Sequence, residues 1–111
     1  MVGDGGDNQL SGSGGTSVIE GGAGNDTLTG GAGTNTFLFT KGSGKDVIND
    51  FGASGEHDVI DISAFTALGY RPLVQDVGGN TVISFSTGDT ITLLGVHANQ
   101  LVADGFGYHH I

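Results

Sequence analysis

The sequence predicts an all-β domain, in which a right-handed parallel β-roll is capped by a C-terminal antiparallel meander. A nine-residue unit recurs in phase between residues 3 and 49, and glycine accounts for 23 of the 111 residues. From Leu73 onward, apolar residues alternate with polar ones at the period of two that is typical of half-buried strands. These observations predict a roll over residues 3–49, capping strands over residues 50–106 and a tail over residues 107–111, all within a single domain.

When the copies of the nine-residue repeat are aligned, three positions each hold one kind of residue; an aligned position is called a column below. The fourth position is glycine in every copy, the eighth is apolar, and the sixth carries a side-chain oxygen. The copies are Gly3 to Ser11, Gly12 to Glu20, Gly21 to Thr29, Gly30 to Leu38 and, after a two-residue insertion, the degenerate Lys41 to Asn49. Glycine at a fixed place indicates a tight turn, because glycine reaches positive φ without a Cβ clash. A Gly/Ser linker has no reason to keep these columns in phase.

A nine-residue period divides into a six-residue turn and a three-residue strand, so two copies make one coil. Coils stack at the usual strand spacing of roughly 4.8 Å. The turns of copies one, three and five (the odd turns) are then expected on one edge, and those of copies two and four (the even turns) on the other. Leu10, Leu28 and Ile48 are predicted to stack on one sheet, and Ile19 and Phe37 on the opposite sheet.

The sixth position predicts metal binding. Carbonyl, carboxylate and amide oxygens are hard ligands, which suit Ca²⁺ better than the strictly octahedral Mg²⁺. Ligand charge predicts that the gap flanked by Asp26 and Asp46 is the tightest site. The gap with Asn8 and Asp26 is expected to be weaker, and the gap with Ser17 and Asn35 weak or empty. We expect two or more calcium ions, with ligands drawn from Asn8, Gly21, Gly22, Ala23, Gly24, Asp26, Asn35, Gly42, Gly44, Asp46, Asp50 and Asp58.

An acidic segment follows the repeats. Between Asp46 and Phe65, aspartates are interleaved with apolar residues, which predicts one apolar and one acidic face. Asp50 and Asp58 either belong to a further calcium site or lie on a solvated strand edge, where charge discourages pairing. For Asp61 the strand edge is the favoured interpretation. The last residues, from Leu101 onward, show no clear element.

The composition limits the partners. The formal net charge is −9, with 12 acidic and 3 basic residues, which argues against nucleic acid and anionic membranes. No window is long and apolar enough for membrane insertion.

Without bound cations, an acidic glycine-rich chain resists collapse, so metal binding is expected to be coupled to folding. The absence of cysteine fits a secreted domain stabilised by calcium as well as a cytosolic one. The start lacks the features of a signal peptide, and Met1 running straight into a repeat indicates a fragment of a longer chain.

The repeats resemble the calcium-binding nonapeptide of RTX proteins. The segments GGAGTNTFLFTKGSGKDVINDF, DVIDISAF and NTVISFSTGDTITLLGV are similar to the C-terminal R-module of secreted mannuronan C-5-epimerases, which act on alginate. That resemblance implies an accessory calcium-binding module, secretion through a type I system and catalysis on a separate, adjoining module. The catalytic Asp-Pro-His motif is absent, since the only proline, Pro72, follows Arg71. Lys41, Lys45 and Arg71 are candidates for contacting alginate or another anionic polysaccharide. Alternatively, they only reduce the negative electrostatic potential of the roll.

Other functions stay open. The nonapeptides alone are also shared with type I-secreted proteases, lipases and toxins. A folding and export module without carbohydrate contact is therefore one alternative, and a structural or adhesive extracellular domain is another. No arrangement of serine, histidine and acid indicates a catalytic triad, so this chain is not expected to be an enzyme by itself.

Overall fold

The computed structural model describes residues 5–12, 17–31, 34–40, 42–51, 58–96, 101–103 and 107–110. This part of the chain is rich in strands and contains one short helix, which confirms the all-β class. Its elements are the strands β1 (Gln9–Ser11), β2 (Ser17–Ile19), β3 (Thr27–Thr29), β4 (Asn35–Leu38), β5 (Lys45–Ile48) and β6 (Val59–Asp61), the helix α1 (Ser63–Ala67), and the strands β7 (Leu73–Val77), β8 (Asn80–Ser84), β9 (Thr90–Leu93), β10 (Leu101–Ala103) and β11 (Gly107–His110). None of the described residues forms a helix with the length and hydropathy needed to cross a membrane.

The strands form two sheets. The odd sheet has the order β1-β3-β5-β9-β8-β7, and the even sheet has the order β10-β11-β6-β4-β2. Strands of the odd copies pair in parallel in one sheet, and those of the even copies in the other. Leu28 is paired with Leu10 and with Ile48, and Ile19 is paired with Phe37. This is the register that the phase of the eighth column predicts.

The turn glycines allow the coils to approach closely. Gly24 and Gly44, both at the fourth position, have φ of 96° and 85°, in the left-handed region that favours glycine. A Cβ on Gly24 would lie 2.6 Å from the carbonyl oxygen of Gly6 in the coil before it. The fourth column therefore requires glycine for two reasons, backbone conformation and stacking distance.

The core lies between the two sheets. Phe65 and Phe85 stack face to face with ring centroids 3.8 Å apart, and Phe37 meets Phe51 edge-on at 6.3 Å. Fully burying one such side chain contributes about 1.5–3 kcal/mol. The buried apolar residues are Ile19, Leu28, Phe37, Phe39, Ile48, Phe51, Ile60, Ile62, Phe65, Ile83, Phe85, Ile91, Leu93 and Val96.

The meander extends the odd sheet. β9 pairs in parallel with β5, and β8 and β7 then follow in antiparallel order. The β7–β8 turn consists of Gly78 and Gly79, whose φ values of 59° and 86° match the two positive values of a type I′ hairpin. The strands predicted from the period of two are therefore present, and they continue the hydrogen-bonded ladder of the repeats.

Two predictions about the later part of the chain are wrong. The region from Leu101 onward was expected to lack structure and residues 107–111 to form a tail, yet β10 and β11 complete the even sheet. β11 also pairs with β6, so β6 has a partner on each side and Asp61 does not lie on a strand edge. Oδ1 of Asp61 instead accepts hydrogen bonds from the N–H and hydroxyl of Ser63, at 2.9 and 2.7 Å, where α1 begins.

Candidate metal sites

The sixth-position residues of the odd turns form a ladder of hydrogen bonds. The N–H of Asn8 donates to Oδ1 of Asp26 at 2.8 Å, and the N–H of Asp26 donates to Oδ1 of Asp46 at 2.9 Å. Both aspartates are 1% exposed. Each carboxylate thus reaches back to the coil before it, so Asp26 contacts the first turn and Asp46 contacts the third turn. Besides burial, the Asp26 carboxyl also raises the pKa of Asp46, so the two carboxyl groups are close enough to interact across the turns.

The second oxygen of each carboxylate has no donor. Oδ2 of Asp26 and Oδ2 of Asp46 are buried and accept no hydrogen bond. A buried ionised oxygen without a partner is costly, and native structures place a cation or a donor there. The carbonyl oxygen of Gly24 lies between the third and fifth turns, where a Cβ on Gly44 would strike it. These oxygens are the donor set that suits Ca²⁺.

The electrostatics of the gap favour a cation. Burial raises the pKa of Asp46 from 3.8 to about 7, against the lowering effect of the hydrogen bond from the Asp26 N–H. The negative charges of Asp26 and Asp89 raise the pKa of Asp46 further. Repulsion between these carboxylates is relieved by a proton or by a metal ion.

A second ladder runs in the opposite direction at the fifth position. The N–H of Asn25 donates to Oδ1 of Asp7 at 2.8 Å, and the N–H of Lys45 donates to Oδ1 of Asn25 at 3.0 Å. Here each side chain accepts from the coil that follows it. Together, the two ladders fix the spacing of the odd turns without using the buried second oxygens of Asp26 and Asp46.

The even turns contain a ligand pair that the repeat pattern did not indicate. The N–H of Asn35 donates to Oδ1 of Asp58 at 2.8 Å, and Phe37 is paired with Ile60. Asp58 therefore takes the sixth position of a further, sixth copy. The detectable signal was the spacing from Asp58 to Ile60, which equals that from the sixth to the eighth position in every repeat.

Asn35 is fully buried, and its Oδ1 accepts no hydrogen bond. Asn35 and Asp58 thus present one neutral and one charged side chain to the gap between β4 and β6. The side chain of Ser17, predicted opposite Asn35, lies outside the described residues.

The other predicted ligands occupy different surroundings. Asp50 accepts from the N–H groups of Gly30 and Gly31, both at 2.9 Å, with one carboxylate oxygen for each. The carbonyl of Gly44 accepts from the N–H of Thr90 at 3.0 Å. Gly21 lies against the metal gap, because a Cβ there would be 2.5 Å from Oδ2 of Asp26. Gly22, Ala23 and Gly42 belong to the odd turns as predicted from the repeat.

The basic candidates lie at one end of the odd sheet. Lys45 begins β5 and Leu73 begins β7. The strand pairings through β9 and β8 place these two residues at the same level of the sheet. Arg71 precedes Leu73 by two residues, and both basic residues are exposed. Three strand spacings separate β5 from β7, or about 14 Å. Lys41 lies outside the described residues.

No three acidic or histidine side chains converge on one point within the described parts of the chain. A metal ion in the odd turns would therefore be held by two carboxylates together with backbone carbonyls. That combination fits Ca²⁺, which accepts irregular oxygen shells of ~6–8 ligands.

Comparison with known proteins identifies the repeats. Residues 2–37 match the family described as RTX calcium-binding nonapeptide repeat, in four copies, so this stretch consists of calcium-binding RTX repeats. No curated protein matches the chain. Among solved structures, the extracellular lipase LipA from Serratia marcescens is similar over 86% of this chain, with 25% identity and a TM-score of 0.48. The match covers 18% of the lipase, so the chain spans less than a fifth of that protein's length.

Proposed function

We propose that this chain is a calcium-dependent folding module of a larger secreted protein, and that it serves there as the non-catalytic accessory module of an alginate-modifying enzyme. The observation that carries the calcium part is the pair of buried carboxylate oxygens, Oδ2 of Asp26 and Oδ2 of Asp46, which no donor satisfies. Calcium between the odd turns supplies the missing partner to both at once.

The proposed ligands follow the stacks. In the odd turns, Asp26 and Asp46 form the tightest site, and Asn8 with Asp26 forms a weaker one, because affinity rises with ligand charge. In the even turns, Asn35 with Asp58 forms a third candidate site. Turn carbonyls complete the proposed shells of the odd turns and are drawn from Gly21, Gly22, Ala23, Gly24 and Gly42. The Gly44 carbonyl and both oxygens of Asp50 accept from backbone N–H groups instead, so neither is assigned to these shells.

Calcium binding is proposed to drive folding. The chain carries a net charge of −9, and two of its aspartates face one another in a gap where each is 1% exposed. Desolvating two such charges costs several kcal/mol unless a counter-charge is present. The ion provides that counter-charge only in the stacked state, so binding free energy becomes folding free energy. We further propose that the stack is a right-handed roll, closed at its C-terminal end by the meander.

The proposed alginate contact uses the exposed basic residues. Lys45 is adjacent in sequence to Asp46, and Arg71 is at the same end of the odd sheet. A spacing of about 14 Å between their strands suits an extended polyuronate chain better than a small anion. Bound calcium would lower the local repulsion between the acidic turns and uronate carboxylates.

In an alternative proposal, the chain binds calcium but does not contact a carbohydrate. In that case the chain is the folding and type I export module of an extracellular protease or lipase, or a structural or adhesive domain. The acidic charge favours this alternative, because only three basic residues oppose twelve acidic ones. In both proposals the chain acts outside the cell, where calcium is plentiful.

One experiment separates the two proposals. The calcium-loaded chain is titrated with alginate oligomers while backbone amide shifts are followed by NMR. Shifts clustered at Lys45 and Arg71 support the accessory-module proposal, and Lys45→Gln with Arg71→Gln should abolish them. A flat response at millimolar oligomer supports the export-module proposal. Calcium binding itself is tested beforehand by calorimetry, so that loss of calcium binding is distinguished from loss of alginate contact.

A further inference from the structure

The turn between β8 and β9 lies over the turn of the fifth repeat. Lys45 of β5 is paired with Thr90 of β9, so the preceding residues, Gly44 and Asp89, are at the same level. The N–H of Thr90 donates to the Gly44 carbonyl at 3.0 Å. The capping strands therefore contact the turn that carries Asp46.

The side chain of Asp89 forms two hydrogen bonds with the backbone of the fifth turn. Its Oδ2 accepts from the N–H of Gly42 at 3.0 Å, and its Oδ1 accepts from the N–H of Gly44 at 2.9 Å. Asp89 is only 7% exposed. Hydrogen bonds to an ionised acceptor are about twice as strong as neutral ones, and burial shields them from competing water.

The β8–β9 turn holds this carboxylate in place. The hydroxyl of Thr87 donates to Oδ2 of Asp89 at 2.6 Å. The backbone of the turn closes through Phe85, whose N–H donates to the Asp89 carbonyl at 3.1 Å and whose carbonyl accepts from Gly88 at 3.0 Å. The orientation of the Asp89 carboxylate is thus fixed by hydrogen bonds within the β8–β9 turn.

This contact determines which way the peptide groups of the fifth turn face. The N–H of Gly44 and the carbonyl of Ser43 belong to one planar trans peptide, so they point in opposite directions. Because β5 lies between β9 and β3, an N–H directed to Asp89 directs the Ser43 carbonyl toward the third turn. The gap flanked by Asp26 and Asp46 lies on that side.

We infer that Asp89 is a positioning residue for calcium in the Asp26–Asp46 gap, orienting the Ser43–Gly44 peptide of the fifth turn so that the Ser43 carbonyl oxygen faces the ion. The inference rests on the proposed calcium function of that gap. Its consequence is that calcium affinity in the roll depends on a residue of the cap, outside the nonapeptides. Ion binding and docking of β8 and β9 are then one coupled event.

The test compares two substitutions at Asp89 with a distant one. Asp89→Asn removes the charge, and Asp89→Glu keeps the charge but displaces the carboxylate. Asp76→Asn removes the same charge from an exposed position on β7. Calorimetry with calcium chloride on the full chain measures the affinity, and ¹⁵N-resolved NMR of the calcium-loaded chain reports the amides of Gly42 and Gly44.

Both Asp89 variants are expected to weaken the tightest calcium site by about 10–100-fold, the usual cost of losing an outer-shell partner. The Gly42 and Gly44 amide protons should move upfield in both variants, because the charged acceptor is lost in Asp89→Asn and displaced in Asp89→Glu. Asp76→Asn should leave the affinity and these amides unchanged. Wild-type affinity in Asp89→Glu together with weakening in Asp89→Asn would assign the effect to charge and overturn the inference.

A milder variant covers the case in which the Asp89 variants fail to fold. Thr87→Val removes the hydroxyl that holds Asp89 and leaves every charge in place. A several-fold weaker calcium site with shifted Gly42 and Gly44 amides supports the positioning role, and unchanged affinity contradicts it. If the wild-type chain itself binds no calcium, the proposed function fails independently of this inference.

Discussion

The backbone N–H of Asp26 donates to Oδ1 of Asp46 at 2.9 Å, across two coils that are twenty residues apart in sequence. This bond occupies one oxygen of the Asp46 carboxylate and leaves the other buried without a donor, as the second oxygen of Asp26 also is. The same atoms that tie the coils together therefore create the need for a cation between them.

Asp46→Asn should weaken the tightest calcium site. The substitution keeps an oxygen for the Asp26 N–H but removes the negative charge from the gap. Loss of a charged partner costs about 1.5–3 kcal/mol, or about 10–100-fold in affinity. Calorimetry on the purified chain measures this, with Asp76→Asn on the exposed strand β7 as the charge-matched control. An unchanged tightest site would contradict the assignment of Asp46 as a ligand.

Removing calcium should unfold the roll. With a chelator, the circular dichroism of β-structure should be lost, since buried carboxylates then lack a counter-charge. Calcium at 100 times its dissociation constant should stabilise the folded chain by about 2.7 kcal/mol per site, so the melting temperature should rise with calcium concentration. A spectrum that is identical with and without chelator would argue against coupled folding.

Calcium affinity should rise between about pH 5 and about pH 8, because protons and calcium compete for the same oxygens. Burial, with the charges of Asp26 and Asp89, raises the pKa of Asp46 from 3.8 to about 7. The metal-free fold therefore binds this proton more tightly than the unfolded chain. Its stability is greatest below about pH 4 and falls as the pH rises toward 7. Calorimetry and thermal melts at several pH values should show these opposite trends, and a pH-independent affinity would be inconsistent with them.

Gly44→Ala should destabilise the fold far more than Gly69→Ala. Both glycines have positive φ, 85° and 87°, so both substitutions carry the left-handed penalty of about 1–2 kcal/mol. Only at Gly44 would the new Cβ strike another coil, at the Gly24 carbonyl, whereas at Gly69 no atom lies within 4 Å. Denaturant unfolding in saturating calcium should separate the two effects. Equal losses of stability would mean that the coils tolerate a wider spacing.

Asn35→Asp should strengthen calcium binding in the even turns. It places a second carboxylate beside Asp58, which already accepts from the Asn35 N–H at 2.8 Å. Two carboxylates in one gap reproduce the composition of the Asp26–Asp46 site, and affinity should rise accordingly. Calorimetric stoichiometry is the measurement, and Asn8→Asp makes the same change in the odd turns for comparison. No change in either affinity or stoichiometry would rule out an even-turn site.

The sequence predicts the part of the fold that is governed by local period. The apolar eighth column gives the pairing of Leu28 with Leu10 and Ile48, because a fixed repeat leaves only one register that buries every member. The alternation after Leu73 likewise gives the meander strands. The short strands β10 and β11 could not be predicted in this way, because neither has a periodic pattern of its own. β11 is stabilised by pairing with β6, and β10 by pairing with β11.

Some residues of the candidate site could likewise be predicted from the sequence, and others could not. Asp26 and Asp46 are evident from the sixth column. Asp58 is less evident, because Glu56 stands where the repeat has its fourth-position glycine, although the spacing from Asp58 to Ile60 matches the repeat. No sequence pattern predicts the contact of Asp89 with Gly44, because the two residues are 45 positions apart and meet only when β9 pairs in parallel with β5. Tertiary register, which no local pattern encodes, decides that contact.

The sixth-position ladder has a direction, because each backbone N–H finds its acceptor in a later coil. A nascent or translocating chain that ends before Asp46 cannot satisfy Asp26, and one that ends before Asp26 cannot satisfy Asn8. The fifth-position ladder runs the other way, since the N–H groups of Asn25 and Lys45 find their acceptors in the coil before them. The third turn is therefore tied to both of its neighbours, and removing either neighbour would leave its backbone N–H groups without acceptors.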